Sequence, residues 1–200
     1  MVMASAAQAT VTIYTSQSSY LAAVGATGVD TFDDLTIDYQ GTPFARNAGT
    51  YNYIASSGPD SGLYGAGDGA DHYLATNYNT DTITFSNFSS GVIGVGGFFF
   101  GSDANGAFIQ GGTMTLKATD AQGFASYTLN DSTKSSFIGF VSNDALASVT
   151  LTPGNLFTDG IWVSANDLTL AVSAVPEPES YAMLLAGLGL MGWMARRRKA

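Results

Sequence analysis

Between residues 10 and 173, short runs that alternate apolar and polar residues recur, and this period of two limits the fold more than any other feature. TVTIYT (10–15), DTITFS (81–86), TMTLKATD (113–120), ASYTL (125–129) and ASVTLT (147–152) all follow it. Alternation of this kind marks strands with one buried and one solvated face. VIGVGGFFF (92–100) is a more continuous apolar run and predicts a strand near the middle of the structure. Turn-forming clusters separate the runs: DANG (103–106), DAQG (120–123), LND (129–131), SND (142–144) and TPGN (152–155). SQSSYLAAVG (16–25) reads as the one helix, with a serine to cap its start and a glycine to end it. Strands spaced by roughly ten residues predict an all-β antiparallel sandwich or barrel with one short N-terminal helix.

Two hundred residues suit one domain with a real core. Charge is sparse and uneven. Arg196, Arg197, Arg198 and Lys199 are four of the seven cations, so residues 1–195 keep three cations against sixteen acids, a formal charge of −13. Such a surface repels phosphates, and no basic strip offsets it, so nucleic acid is excluded as a partner. The acids before Glu177 are all Asp, which favours turns and is poor inside strands, so they belong in loops. Cysteine is absent, which excludes disulfides, thiolate metal sites and cysteine catalysis.

The last stretch is unlike the rest. Two prolines flanking Glu177 stop any preceding strand. Residues 181–195, YAMLLAGLGLMGWMA, carry no charge, and four cations follow directly. As a helix this run would be about 22 Å long, short of a hydrocarbon core of about 30 Å unless the basic side chains snorkel and Trp193 sits at the interface. The alternative is a core helix with a solvated tail, but apolar residues and glycines cover every face and leave no polar stripe. By the positive-inside rule the basic end stays cytoplasmic and the domain lies across the membrane. Pro176, Glu177 and Pro178, then an apolar run that includes Tyr181, Leu184, Leu185, Leu188, Leu190 and Trp193, then Arg196, Arg197, Arg198 and Lys199, resemble the PEP-CTERM sorting signal. That resemblance implies a protein exported by a Gram-negative bacterium, recognised by an exosortase and associated with exopolysaccharide and biofilm. It covers residues 174–200 as a sorting signal with one transmembrane helix.

Export also calls for a signal at the other end. Ala7-Gln8-Ala9 is a small-x-small site of the kind signal peptidase cuts after. Residues 1–9 therefore read as the remnant of a signal peptide whose upstream part is lost to a misassigned start, or else as an Ala-rich terminus. Residues 10–173 form the domain. SSYLAAVGATGVDTFDDL (18–35), FIGFVSNDALASVTLTP (137–153) and ANDLTLAV (165–172) resemble the jelly-roll-like domains found ahead of PEP-CTERM tails. In those domains an opening helix leads to a Phe-acid strand, and two acids precede the closing Leu; here that pair is Asn166-Asp167.

Chemistry is weakly signalled. First and last strands of a jelly roll are commonly neighbours, so Asp33, Asp34 and Asp167 are candidate Ca²⁺ ligands; the alternative is strand-end acids facing water. GAGDGADH (65–72) packs Gly and Asp as calcium or phosphate loops do, but lacks an EF-hand's closing Glu and a P-loop's Lys, and reads as a solvent loop. His72 is the single histidine, and no nucleophile-elbow pattern accompanies it. Tyr51, Tyr53, Tyr73 and Trp162 are candidate sugar-stacking residues, with inter-strand packing as the alternative. The expectation is a non-enzymatic surface or extracellular-matrix protein with exosortase, the inner membrane and exopolysaccharide as partners. A carbohydrate-binding module is the alternative, and a glycan hydrolase using paired carboxylates comes third.

Overall fold

A computed structural model of the chain describes residues 10–58, 62–69, 71–154, 160–174 and Leu188. The order begins β1 (Val11–Tyr14), α1 (Gln17–Ala23), β2 (Thr27–Asp30), β3 (Tyr39–Gly41), β4 (Phe44–Ala48) and β5 (Tyr51–Gly58). It continues with β6 (Leu63–Asp68), β7 (Asp71–Thr76), β8 (Thr82–Ser86), β9 (Val92–Ser102) and β10 (Phe108–Ile109). It ends with β11 (Met114–Asp120), β12 (Phe124–Leu129), β13 (Phe137–Ser142), β14 (Leu146–Pro153) and β15 (Trp162–Val172).

These strands form two antiparallel sheets. One runs β1-β13-β9-β15-β7-β6-β3, with β10 added to β9 and β2 added to β15. The other runs β12-β11-β14-β8-β5-β4. Leu74, Val95, Phe99, Phe140, Val163 and Leu170 from the first sheet pack against Tyr53, Phe85, Leu116, Val149 and Leu151 from the second in one core. The half-buried strands carry their alternation into this arrangement: β8 and β11 each bury every second residue.

The apolar run at 92–100 is β9, the middle of the first sheet, and it is covered on both faces. Phe99 points into the main core. Phe98 and Phe100 point the other way, and a different outer cluster covers each. Phe98 lies by α1, whose buried Tyr20, together with Val24 just past the helix end, packs with Phe137 and Ala171. Phe100 lies edge-on to Tyr73 and Phe108, ring centroids 4.9 and 5.6 Å away.

Three local expectations change. Ser16 has the extended backbone of an N-cap, but its hydroxyl meets Ser18 at 2.9 Å rather than a backbone N–H. Gly25 does not end α1 in a left-handed turn. It is needed for space, because a Cβ there would lie 2.5 Å from the Ser173 carbonyl oxygen. The predicted solvent loop at 65–72 is instead most of a hairpin, with Gly67 opposite His72 and Asp68 opposite Asp71. Its small residues allow close stacking: Ala66 and Tyr73 are buried with Phe100.

The membrane helix read over 181–195 lies outside the described residues, except Leu188, which is helical and exposed. Tyr181, Leu184, Leu185, Leu190, Trp193, the Pro176-Glu177-Pro178 motif, the basic cluster and residues 1–9 all lie outside them too. Among the described residues, no helix is long and apolar enough to cross a membrane.

Candidate functional site

The end of β2 and the turn after it carry most of the acids singled out by sequence. β2 pairs with β15, with Asp30 opposite Leu168, so the first acids and the closing strand do come together. The centre of this region is a residue the sequence did not flag. Arg46, on β4, places Nη2 2.5 Å and Nε 2.9 Å from the two carboxylate oxygens of Asp30. The same guanidinium places Nη1 and Nη2 at 2.8 and 2.6 Å from Asp34. Tyr53 donates its hydroxyl to Asp30 at 2.6 Å. The Phe32 and Phe44 rings flank the cation, with centroids 5.4 and 5.3 Å away. The Asp34 carboxyl is held below its usual value by its hydrogen bonds from Arg46, against a smaller opposing effect of burial. Burial, together with the Asp30 charge, pushes the Tyr53 phenol up. Asp34 is therefore engaged by a cation, not presented to a metal.

Asp33 and Asp167 belong to a neighbouring group. Asp33 accepts the His72 backbone N–H at 3.3 Å. Asp71 accepts from the Asn166 amide at 2.9 Å and lies 3.5 Å from Lys134 Nζ. Asp167 sits in the irregularity of β15 between Asn166 and Thr169, with φ +48°. Burial raises its carboxyl pKa, and the charges of Asp33 and Asp71 raise it further. Among the described residues, no group of three or more His, Asp or Glu is placed to hold a metal ion.

The aromatic candidates separate by face. Tyr53 and Tyr73 are buried, so neither can offer a ring to a sugar. Tyr53 belongs to the inter-sheet core, and Tyr73 donates its hydroxyl to the Gly106 carbonyl. Tyr51 is half-buried, with its hydroxyl 3.4 Å from the Ala26 carbonyl oxygen. Trp162 stands apart. It lines a hollow of about 360 Å³ together with Tyr64, Asn77, Asp103 and Asn105. Tyr64, Asp103 and Asn105 were missed; the signal for the last two was the DANG turn, read as a turn alone, and Asn77 lies in HYLATNY (72–78), a stretch whose aromatics suggested sugar binding.

The remaining functional feature follows β15 directly. A sequence model of the PEP-CTERM protein-sorting motif matches residues 174–199, while no curated protein and no solved structure matches the chain. This motif is the signal by which exosortase processes exported proteins, and it implies a membrane-anchored precursor before cleavage. From the strand-breaking prolines to the terminal cations, the chain thus carries a PEP-CTERM protein-sorting motif over residues 174–199.

Proposed function

We propose that this is a non-enzymatic surface or extracellular-matrix protein, a jelly-roll-like β-sandwich that exosortase releases from the inner membrane. In this reading the basic cluster stays cytoplasmic and the domain faces the periplasm. After processing, the domain works at the cell surface or in a matrix rich in exopolysaccharide. The carrying observation is the sorting motif placed immediately after β15. The pairing of β2 with β15 near the chain's two ends supports a jelly-roll-like arrangement. A non-catalytic role is favoured because the acids near β2 are engaged: Asp30 and Asp34 bind Arg46, and Asp71 binds Asn166 and Lys134.

The test is fractionation. The full-length chain and a form ending at Ala174 are each exported behind a working signal peptide in cells without exosortase. The full-length form should sediment with membranes and the truncated form should appear in the soluble periplasmic fraction. Equal release of both would overturn the anchor reading.

A further inference from the structure

The outer face of the nine-stranded sheet carries a built hollow. Tyr64 on β6 pairs with Ala75 on β7, Ala75 with Ser164 on β15, and Ser164 with Phe100 on β9. Two residues along, Trp162 pairs with Ser102. Side chains two apart on a strand share a face, so the small residues Ala66, Ala75 and Ser102 form a floor between two larger rings, Tyr64 and Trp162. The loop 103–106 forms the remaining wall.

Internal bonds hold these walls. Asp103 Oδ1 accepts the backbone N–H groups of Asn105 and Ala107, both at 2.8 Å. The loop is also held by the Tyr73 hydroxyl, which donates to the Gly106 carbonyl. Gly106 has φ +77°, and a Cβ there would approach the Ala66 methyl to 2.9 Å, so only glycine lets the loop lie this close. The Trp162 indole N–H donates to the Asn77 carbonyl at 3.0 Å, which fixes the plane of the ring. Ser102 in the floor shares a hydrogen bond of 3.0 Å with the hydroxyl of the buried Ser164 beside it. A pocket of this volume, formed in advance, is of ligand size and costs little ordering on binding.

The lining specifies a ligand class. Two aromatic side chains, Tyr64 and Trp162, line the hollow, and an aromatic face suits the C–H surface of a sugar ring. Amide, carboxylate and hydroxyl groups beside them match a ligand rich in hydroxyls. Among the described residues, Asp103 is the only acid in the lining, and no Lys, Arg or His lines it. The sixteen acids and three cations of residues 1–195 disfavour an anionic ligand further. We infer that this hollow is a binding site for a neutral saccharide, with Trp162 as the stacking platform and Asn105 as a hydroxyl-recognising group.

This inference does not depend on the sorting motif, so either can fail alone. The experiment uses the full-length chain with Trp193→Phe, purified in a detergent without a sugar headgroup, so that Trp162 is the only tryptophan. Neutral gluco-, manno-, galacto- and xylo-oligosaccharides are titrated while Trp162 emission is followed, with polygalacturonate as the anionic arm. At least one neutral oligosaccharide should bind saturably and polygalacturonate should not. Asn105→Ala should weaken binding about fivefold, the value of one lost hydrogen bond. Trp162→Ala, followed by calorimetry, should weaken it about thirtyfold, as removal of a buried aromatic anchor does. Trp162→Phe should recover part of that loss. The thermal transition of each variant is recorded, and Asn105→Ala, on an exposed loop, serves if the tryptophan variants do not fold. The proposal is overturned if no neutral oligosaccharide binds, if polygalacturonate binds better, or if binding survives both Asn105→Ala and Trp162→Ala unchanged.

Discussion

Arg46 is the side chain on which the β2 region turns, and its two carboxylates make unequal demands. The Asp30 side chain is 4% exposed and the Asp34 side chain 69%. A buried carboxylate without its partner is costly, because neither water nor another cation replaces the lost bonds. An exposed carboxylate without its partner is simply solvated. Arg46→Met should therefore destabilise the fold by on the order of 3–5 kcal/mol. Asp34→Asn should cost about 1 kcal/mol or less, since Arg46 keeps Asp30. Urea unfolding of both variants at neutral pH measures the contrast. Equal losses would show that Asp34, despite its exposure, shares the buried part of the bond. Phe32 between them has φ +61°, a strained position for an aromatic residue, and its ring lies against the same guanidinium. One cation thus fixes both the direction of the turn and the charges inside it.

Among the elements, β11 and β13 lie in different sheets and are tied by a buried polar contact. Asp120 closes the β11–β12 turn by accepting the N–H groups of Gln122 and Gly123 on Oδ1. Its Oδ2 accepts the Ser142 hydroxyl, at the end of β13, at 2.7 Å. The carboxyl is held below its usual 3.8, chiefly by the Ser142 bond and then by the two backbone N–H groups, with burial opposing them. A carboxyl with a lowered folded pKa contributes stability that is present above 3.8 and is lost as pH falls through the folded value. Ser142→Ala should cost about 1–3 kcal/mol at neutral pH. That cost should shrink as pH drops below 3.8, because the bond it removes is strongest to the ionised acid. Chemical denaturation at pH 7 and pH 3 would show it, and a penalty that grows toward acid would contradict the assignment. The same elements show what was readable from sequence. β8, β11 and β14 declared themselves because one face is buried and the other wet. The β6–β7 hairpin did not, because Gly65, Ala66, Gly67 and Ala75 carry too little side chain to mark a face, and Tyr73 is buried beneath a loop distant in sequence. Tyr53 and Tyr73 stood among the sugar-stacking candidates, with packing as the alternative, for a related reason. Alternation says which residues share a face but not which face a second layer covers. The Arg46 pairs span 16 and 12 residues and join separate strands, so no local pattern pointed to them.

The last strand of the domain is also one of its most central. β15 pairs with β9 along most of its length, with β7 at its start and with β2 toward its end. It supplies Val163, Ala165, Leu168 and Leu170 to the main core. The sorting motif begins at residue 174, two positions past the end of β15. The eight residues between Val172 and Tyr181 can reach no more than about 30 Å. On the proposed reading, the domain therefore completes its central strand close to the membrane, and cleavage must fall beyond Val172 to leave a folded product. Two truncations separate the roles of strand and tail. A chain ending at Ala174 keeps every strand pairing of the described residues, so on the proposed reading its melting temperature should lie within about 2 °C of the full-length value, the shift expected for a change away from the core in a domain of this size. A chain ending at Ile161 loses β15 and with it the join between β9, β7 and β2, and it should show no cooperative thermal transition. Differential scanning calorimetry distinguishes these outcomes. A cooperative transition in the shorter chain would mean that the remaining strands close a core without β15. A large destabilisation at Ala174 would mean that the tail packs on the domain, and a tail packed there would not be free to enter a bilayer.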